Sequence, residues 1–327
     1  MLRPALLALG MVLSLCSVTL PLAAEQQTPT KVYRIGILST TSPNSTVIPD
    51  LIKEFRNLGY IEGQNLAVDV RWAEGKAERL PELAAQLVTL KPDVIITFTT
   101  NGALAGKQAT TAIPIVMLQV SDPVGSGLVA SLAHPGGNIT GVTDYGIDLT
   151  AKYVELIHAI APKAIRIGVL MSDNPIHPAQ LSGIEDAAKG LGLGVVTAMD
   201  RSNDELDQAF AALAKEKAGA VIALGGATQA SQRERIAELA SKTGMATLFP
   251  TRAYVEKGGL MSYGPNLPAS YKLGTRYVDR ILKGAKPADL PVEQPPQFEL
   301  IFNLKTAKAL GITIPQSLLL RADEVIQ

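Results

Sequence analysis

The sequence predicts an α/β protein of two lobes built to one plan, each around a parallel sheet. Three observations predict it. Short apolar strands alternate with helical patterns along the chain. The strands are apolar on both faces, as strands covered by helices on either side must be. And the series of elements is written twice: RIGIL at Arg34–Leu38 returns as RIGVL at Arg166–Leu170. A single large doubly wound domain is the alternative reading.

The elements follow in order. After Leu38 a polar turn leads to a helix with Leu51, Ile52, Phe55 and Leu58 on one face, stopped at Gly59. After Leu170 the same happens with Ile184, Ala187, Ala188 and Leu191, stopped at Gly192. A second strand follows in each half, Leu66–Val70 and Gly194–Ala198, then a second helix, Leu80–Thr89 and Asp204–Glu216. The third strands are Asp93–Thr97 and Ala220–Leu224. The fourth are Ile115–Leu118 and Ala246–Phe249. The halves also share a G-x-x-x-Y-G frame, Gly141–Gly146 and Gly259–Gly264, each ahead of another helix. That extends the correspondence beyond the alternation common to all α/β proteins.

Composition narrows the function. The chain has 327 residues, 47% hydrophobic, ample for sizeable cores. Its formal net charge of zero gives no general attraction to nucleic acid or acidic membranes. Arg3, an apolar run from Ala5 to Leu20, and small residues ending at Ala24 follow the order of a secretory signal peptide, residues 1–24. A retained anchor is the alternative, because the run approaches spanning length. A lipoprotein signal would place a small residue before Cys16, where Leu15 stands. The one cysteine, Cys16, lies in this segment, so the mature chain would hold no disulfide and no thiol nucleophile. No later stretch is long and apolar enough to span a bilayer. The expectation is an exported, periplasmic protein.

Ligands in open α/β sheets bind beyond the carboxyl ends of the strands, where helix N-termini offer unpaired N–H groups. The residues there are Ser39, Thr40 and Ser42, then Thr99, Thr100 and Asn101, then Ser121 and Asp122. The second half offers Ser172 and Asn174, then Gly226, then Thr251. Each is a candidate ligand contact; each is also a residue type that caps helices whatever the function. Asp122 could meet an ammonium group or close a D-P turn. Tyr145 and Tyr263 fall where the chain should pass between lobes, to stack on a planar ligand or to pack the hinge.

Catalysis finds little support. His134, His158 and His177 have no metal-like spacing, and no G-x-S-x-G elbow, H-E-x-x-H or P-loop occurs. Gly190–Gly194 precedes a strand and reads as a helix stop and turn. The charges at Gln232–Glu238 read as a solvated helix face. No catalytic residue, metal or cofactor is expected.

Two long stretches carry a resemblance. IPIVMLQVSDPVGSGLVASLAHPGGNITGVT (Ile113–Thr143) and ILKGAKPADLPVEQPPQFELIFNLKTAKALGITIPQSLLLRADEVI (Ile281–Ile326) resemble ABC-transporter substrate-binding proteins of the tryptophan/tyrosine-uptake type. The resemblance implies the type I periplasmic binding fold, two Rossmann-like lobes joined by a three-strand hinge. It implies a first lobe of residues 31–161 plus 265–296, and a second of 163–262 plus 299–327. The crossings would fall near Pro162, near Tyr263–Pro265 and near Phe298–Phe302. The helix Leu149–Ile160 would end the first lobe, and Tyr271–Leu282 would return to it.

The implied function is capture of a small carboxylate-bearing, aromatic solute by cleft closure and delivery to an ABC permease and its ATPase. A monomer is expected. The alternatives are a ligand-sensing subunit for a membrane receptor and an enzyme using the same cleft. A repressor on this fold is disfavoured by the export signal and by the lack of a DNA-binding segment before Lys31.

Overall fold

The computed structural model describes residues 31–327 other than Tyr145, Asp148, Ser202 and Pro296. The expected signal peptide, with Cys16, lies outside these, as does Tyr145. The first half runs β1 (Tyr33–Ser39), α1 (Val47–Asn57), β2 (Leu66–Trp72), α2 (Leu80–Thr89), β3 (Val94–Phe98), α3 (Thr99–Ala109), β4 (Ile115–Val120) and β5 (Ile139–Thr143). Its five strands are parallel, in the order β2-β1-β3-β4-β5.

The second half begins with α4 (Thr150–Ile160), β6 (Arg166–Met171), α5 (His177–Gly190), β7 (Gly194–Met199), α6 (Leu206–Lys215) and β8 (Ala220–Ala223). It continues through α7 (Ala227–Ser231), α8 (Arg233–Thr243), β9 (Ala246–Phe249), α9 (Arg252–Val255) and β10 (Met261–Pro265). Last come α10 (Leu267–Leu282), β11 (Phe298–Asn303), α11 (Leu304–Ala309), α12 (Gln316–Leu319) and β12 (Glu324–Ile326). Strands β7-β6-β8-β9-β10 repeat the order of the first sheet, and β11, antiparallel to β10, and β12 extend it to seven. The two-lobed α/β reading holds.

The repeated phrase has a structural reason. A Cβ on Gly36 of β1 would stand 3.3 Å from the Leu87 side chain, and one on Gly168 of β6 would stand 3.0 Å from Leu213. In both lobes the strand glycine lets the second helix press onto the sheet. Arg34 donates to the Leu90 carbonyl (3.1 Å) and Arg166 to the Glu216 carbonyl (2.8 Å). Each guanidinium thus satisfies a carbonyl left open at a helix end. Leu58 and Leu191, expected on the buried faces, are 38% and 48% exposed, because the helices end one residue before them.

Each sheet is covered on both faces. In the first lobe one core joins β1, β3 and β4 to α1 and α10, and another joins them to α2 and α3. In the second, α4 and α5 cover one face and α6, α8 and α9 the other. The expected first crossing, near Pro162, is therefore corrected. Tyr153, Val154, Leu156, Ile157 and Ile160 of α4 pack among β6, β8 and β10 residues, so α4 belongs to the second lobe. The apolar face of α4 told of burial without naming the sheet that buries it. Helix α10 packs in the first lobe's core and begins at Leu267, ahead of Tyr271, where Asn266 caps it by accepting from the Ala269 N–H (2.9 Å). Among the described residues no helix is long and apolar enough to cross a membrane.

Candidate functional site

The carboxyl ends of both sheets face a shared cavity of about 690 Å³, its open mouth included. From the first lobe come Ser39, Thr40 and Thr41 after β1, Phe98 and Thr99 after β3, and Gln119, Ser121 and Asp144 near the ends of β4 and β5. From the second come Asn174 after β6, Leu224, Gly225 and Gly226 after β8, Ala230 and Arg233 at the α7–α8 junction, and Pro250, Thr251 and Tyr254 around α9.

The small polar residues at the cavity do not cap the helices that follow them. No side-chain cap bond forms at the N-termini of α1, α3, α5 or α9. Ser39 turns inward to Thr41, their hydroxyls 3.0 Å apart. The Thr99 and Thr251 hydroxyls are buried with no partner, one on each side of the cavity. Thr99 and Gln119 also hold φ of +61° and +57°. For β-branched Thr99 that is a rare, strained conformation of the kind that gathers at ligand sites.

Two charges line the cavity, one of each sign. Asp144 accepts from the Gly146 N–H (3.1 Å) and from the Ser121 hydroxyl. Burial outweighs those bonds and pushes its carboxyl above the usual carboxylate range. Arg233 stands across from it on the second lobe, its guanidinium 5.5 Å above the Tyr254 ring. Its Nε is buried without a hydrogen-bond partner, and it forms no ion pair among the described residues. Tyr254 stacks in turn on Phe249, ring centroids 4.9 Å apart and planes 6° apart. Arg233 and Tyr254 thus stack at the cavity wall, with Phe249 behind them.

Of the residues expected to meet a ligand, Ser39, Thr40, Thr99, Ser121, Asn174, Gly226 and Thr251 line this cavity. Asn101 and Ser172 line a neighbouring groove between the lobes. Ser42 lies in the turn before α1, its carbonyl accepting from Ser45. The Thr100 side chain is buried without lining the cavity. Asp122 closes its own turn, accepting from the Gly125 N–H at 2.7 Å, so the cavity's carboxylate is Asp144. Tyr263 packs the hinge beside Phe298, centroids 6.2 Å apart. Arg233, Asp144 and Tyr254 escaped the sequence reading. Arg233 had a signal: a cation at the first position of a helix opposes the helix dipole, so it needs another reason to be there. Asp144 had one too, standing in the shared frame where the second half has Ser262.

Residues 38–326 match the model of the family described as ABC transporter substrate binding protein. The chain belongs to that family. This substrate-binding protein has the type I periplasmic binding fold. It is 31% identical over 267 residues to the Tyrosine-binding protein of Clostridioides difficile (strain R20291), covering 80% of this chain and 75% of that one. It is 30% identical to the ABC domain in complex with L-Trp from Streptococcus pneumonia, over 90% of this chain and 100% of that one, with a TM-score of 0.83. A ligand-free, open structure of a substrate binding protein with adhesive properties from Clostridium difficile is 28% identical over 90% and 99% of the two chains. Its TM-score is 0.62. At nearly equal identity, this substrate-binding protein superposes better on the liganded relative than on the open one.

Proposed function

We propose that this chain is the extracytoplasmic capture component of an ABC importer, a monomer that closes on an aromatic amino acid and delivers it to a permease driven by an ATPase. The observation that carries this is the set of partnerless polar atoms around one cavity: Thr99 Oγ1 from the first lobe, Arg233 Nε and Thr251 Oγ1 from the second. Buried polar groups are ordinarily paired, so these await a polar ligand that touches both lobes. Arg233 offers a planar fork to an α-carboxylate. Asp144 meets the ammonium, and the Phe98 and Tyr254 rings offer walls to an aromatic side chain. The closer likeness to the L-Trp complex supports closure about the ligand.

The test is a thermal-shift and calorimetric panel on the chain after unfolding and refolding to strip carried-over ligand. L-tryptophan, L-tyrosine and L-phenylalanine should raise the melting temperature, by a few degrees at about a hundred times Kd, where stabilisation reaches about 2.7 kcal/mol. Tryptamine and indole-3-propionate, each lacking one pole, should bind far more weakly. No shift with any of the three amino acids would sink the assignment.

A further inference from the structure

His177 does not line the cavity, yet it holds the part of the second lobe that does. It is the first residue of α5 and is 1% exposed. Its Nδ1 lies 2.9 Å from the Ser172 backbone nitrogen, and its Nε2 lies 2.7 Å from the Gly225 carbonyl oxygen. Nδ1 also stands 3.0 Å from the Ser172 carbonyl oxygen. Nε2 faces only a carbonyl and must donate to it, whereas Nδ1 has an N–H to accept from, so a neutral ring carries its proton on Nε2. Burial favours that neutral form, lowering the imidazole's pKa against the pull of the Gly225 and Ser172 carbonyls and of Asp173.

The two groups it joins end different strands. Ser172 follows β6, and within the same turn Asn174 is fixed by bonds from its N–H to the Ser172 carbonyl (2.8 Å) and from the His177 N–H to its own carbonyl (3.0 Å). Gly225 follows β8 at φ +81°, and its N–H donates to Gln229 Oε1 at 2.7 Å. Gly226 is pressed so close to Ser172 that a Cβ would stand 2.1 Å from the serine hydroxyl. Asn174, Gly225 and Gly226 all line the cavity.

We infer that His177 is the positioning residue of the second lobe's half of the site: its imidazole ties the β6 loop to the β8 loop and so sets Asn174 and Gly225–Gly226 against the ligand. The inference rests on the binding function proposed above. It makes the ring a brace between two loops, replaceable in part by any side chain that keeps one of the two ties.

Three variants of the full chain, His177→Ala, His177→Gln and His177→Asn, are compared with wild type using L-tryptophan and L-tyrosine as probes. Gln can still donate to the Gly225 carbonyl, and Asn can still accept from Ser172. H177A should weaken binding at least tenfold, with H177Q and H177N recovering part of it. Backbone amide resonances of Ser172, Asn174, Gly225 and Gly226 should move in H177A, and H177Q should restore the glycines more than the β6 turn. Those resonances need no ligand, so a wild type that bound neither amino acid would sink the proposed ligand while leaving the brace tested. Wild-type affinity and unmoved resonances in H177A would overturn it. If H177A does not fold, the wild-type imidazole spectrum decides: a slowly exchanging Nε2 proton and an unprotonated, hydrogen-bonded Nδ1 are expected. The opposite tautomer, or a freely exchanging ring, would overturn the inference.

Discussion

The hydroxyl of Thr228, on the second lobe, donates to the carbonyl of Gly75, on the first, at 3.2 Å. Nearby, Asn101 Nδ2 of the first lobe donates to the Asp173 carbonyl of the second at 2.7 Å. These bonds exist only while the lobes stand together, and Asn101, Asp173 and Thr228 line the groove beside the cavity. Gly75 holds φ +80°, and a Cβ there would come within 2.4 Å of the Ser231 hydroxyl on the facing lobe. Thr228→Val removes one neutral hydrogen bond, about 0.5–1.5 kcal/mol, and should weaken ligand binding about three- to tenfold. Gly75→Ala should weaken it further, because the new methyl meets the Ser231 hydroxyl only when the lobes come together. Calorimetry gives the affinities, and small-angle scattering shows whether ligand still compacts the chain. Unchanged affinity in both variants would mean that these contacts do not help hold the lobes together.

Arg233 should read a carboxylate. Arg233→Met keeps bulk against Tyr254 and loses the charged fork, so affinity for L-tryptophan should fall about ten- to a hundredfold, as a hydrogen bond to a charged group of about 1.5–3 kcal/mol implies. Affinity for L-tryptophanamide, which has no carboxylate, should barely change. Equal losses for both would show that Arg233 acts through the Tyr254 wall instead.

Asp144 should make binding depend on pH. Burial raises its carboxyl in the empty site, and an ammonium group favours the ionised form, so part of the population must lose a proton as ligand binds. Affinity should fall as pH drops through that raised value. Calorimetry in buffers of different ionisation enthalpy should show proton release. Asp144→Asn should bind weakly at every pH and release none; a variant with the wild-type profile would remove Asp144 from the ammonium site.

The paired glycines offer a stability test. Gly168→Ala would place a methyl 3.0 Å from Leu213, and Gly36→Ala one 3.3 Å from Leu87. Overpacking of this kind costs about 1–3 kcal/mol, so both should lower the urea midpoint, Gly168→Ala more. A stabilised Gly168→Ala would show that α6 shifts to accept it.

These same positions show what was legible. The β6 phrase betrayed its partner in β1 because both sheets need a buried strand with room for a helix, a demand that falls on sequence neighbours. The site was half legible for a related reason: Ser39, Thr99 and Thr251 sit at strand ends, and the fold aims strand ends at the cavity. Arg233 and Tyr254 were hidden because they reach it from helices, and a charge on a helix looks the same in sequence whether it faces water or a ligand. The partner of α4 was hidden because amphipathicity marks a face and not the surface it meets. Tyr145, the remaining stacking candidate, lies outside the described residues.

Asp200 supplies the last test. It ends the loop edge of β7, fully buried, with one oxygen accepting from Gln229 Nε2 at 3.2 Å and the other without a partner. Burial pushes its carboxyl up to about 7, against the Gln229 bond. In the unfolded chain it titrates near 3.9. Between those values the folded state holds a proton that the unfolded state has lost, so stability must fall as pH rises from about 4 to about 7. Above that range the chain carries a buried, half-satisfied charge. Asp200→Asn keeps the shape and an oxygen for Gln229 and removes the charge. It should therefore be more stable than wild type at pH 8 and little different at pH 4.5, as urea unfolding at the two values would show. Gln229 also accepts from Gly225, so D200N should leave ligand affinity intact as long as that glycine stays in place. A D200N chain less stable than wild type at pH 8 would mean that the ionised carboxylate finds support beyond Gln229.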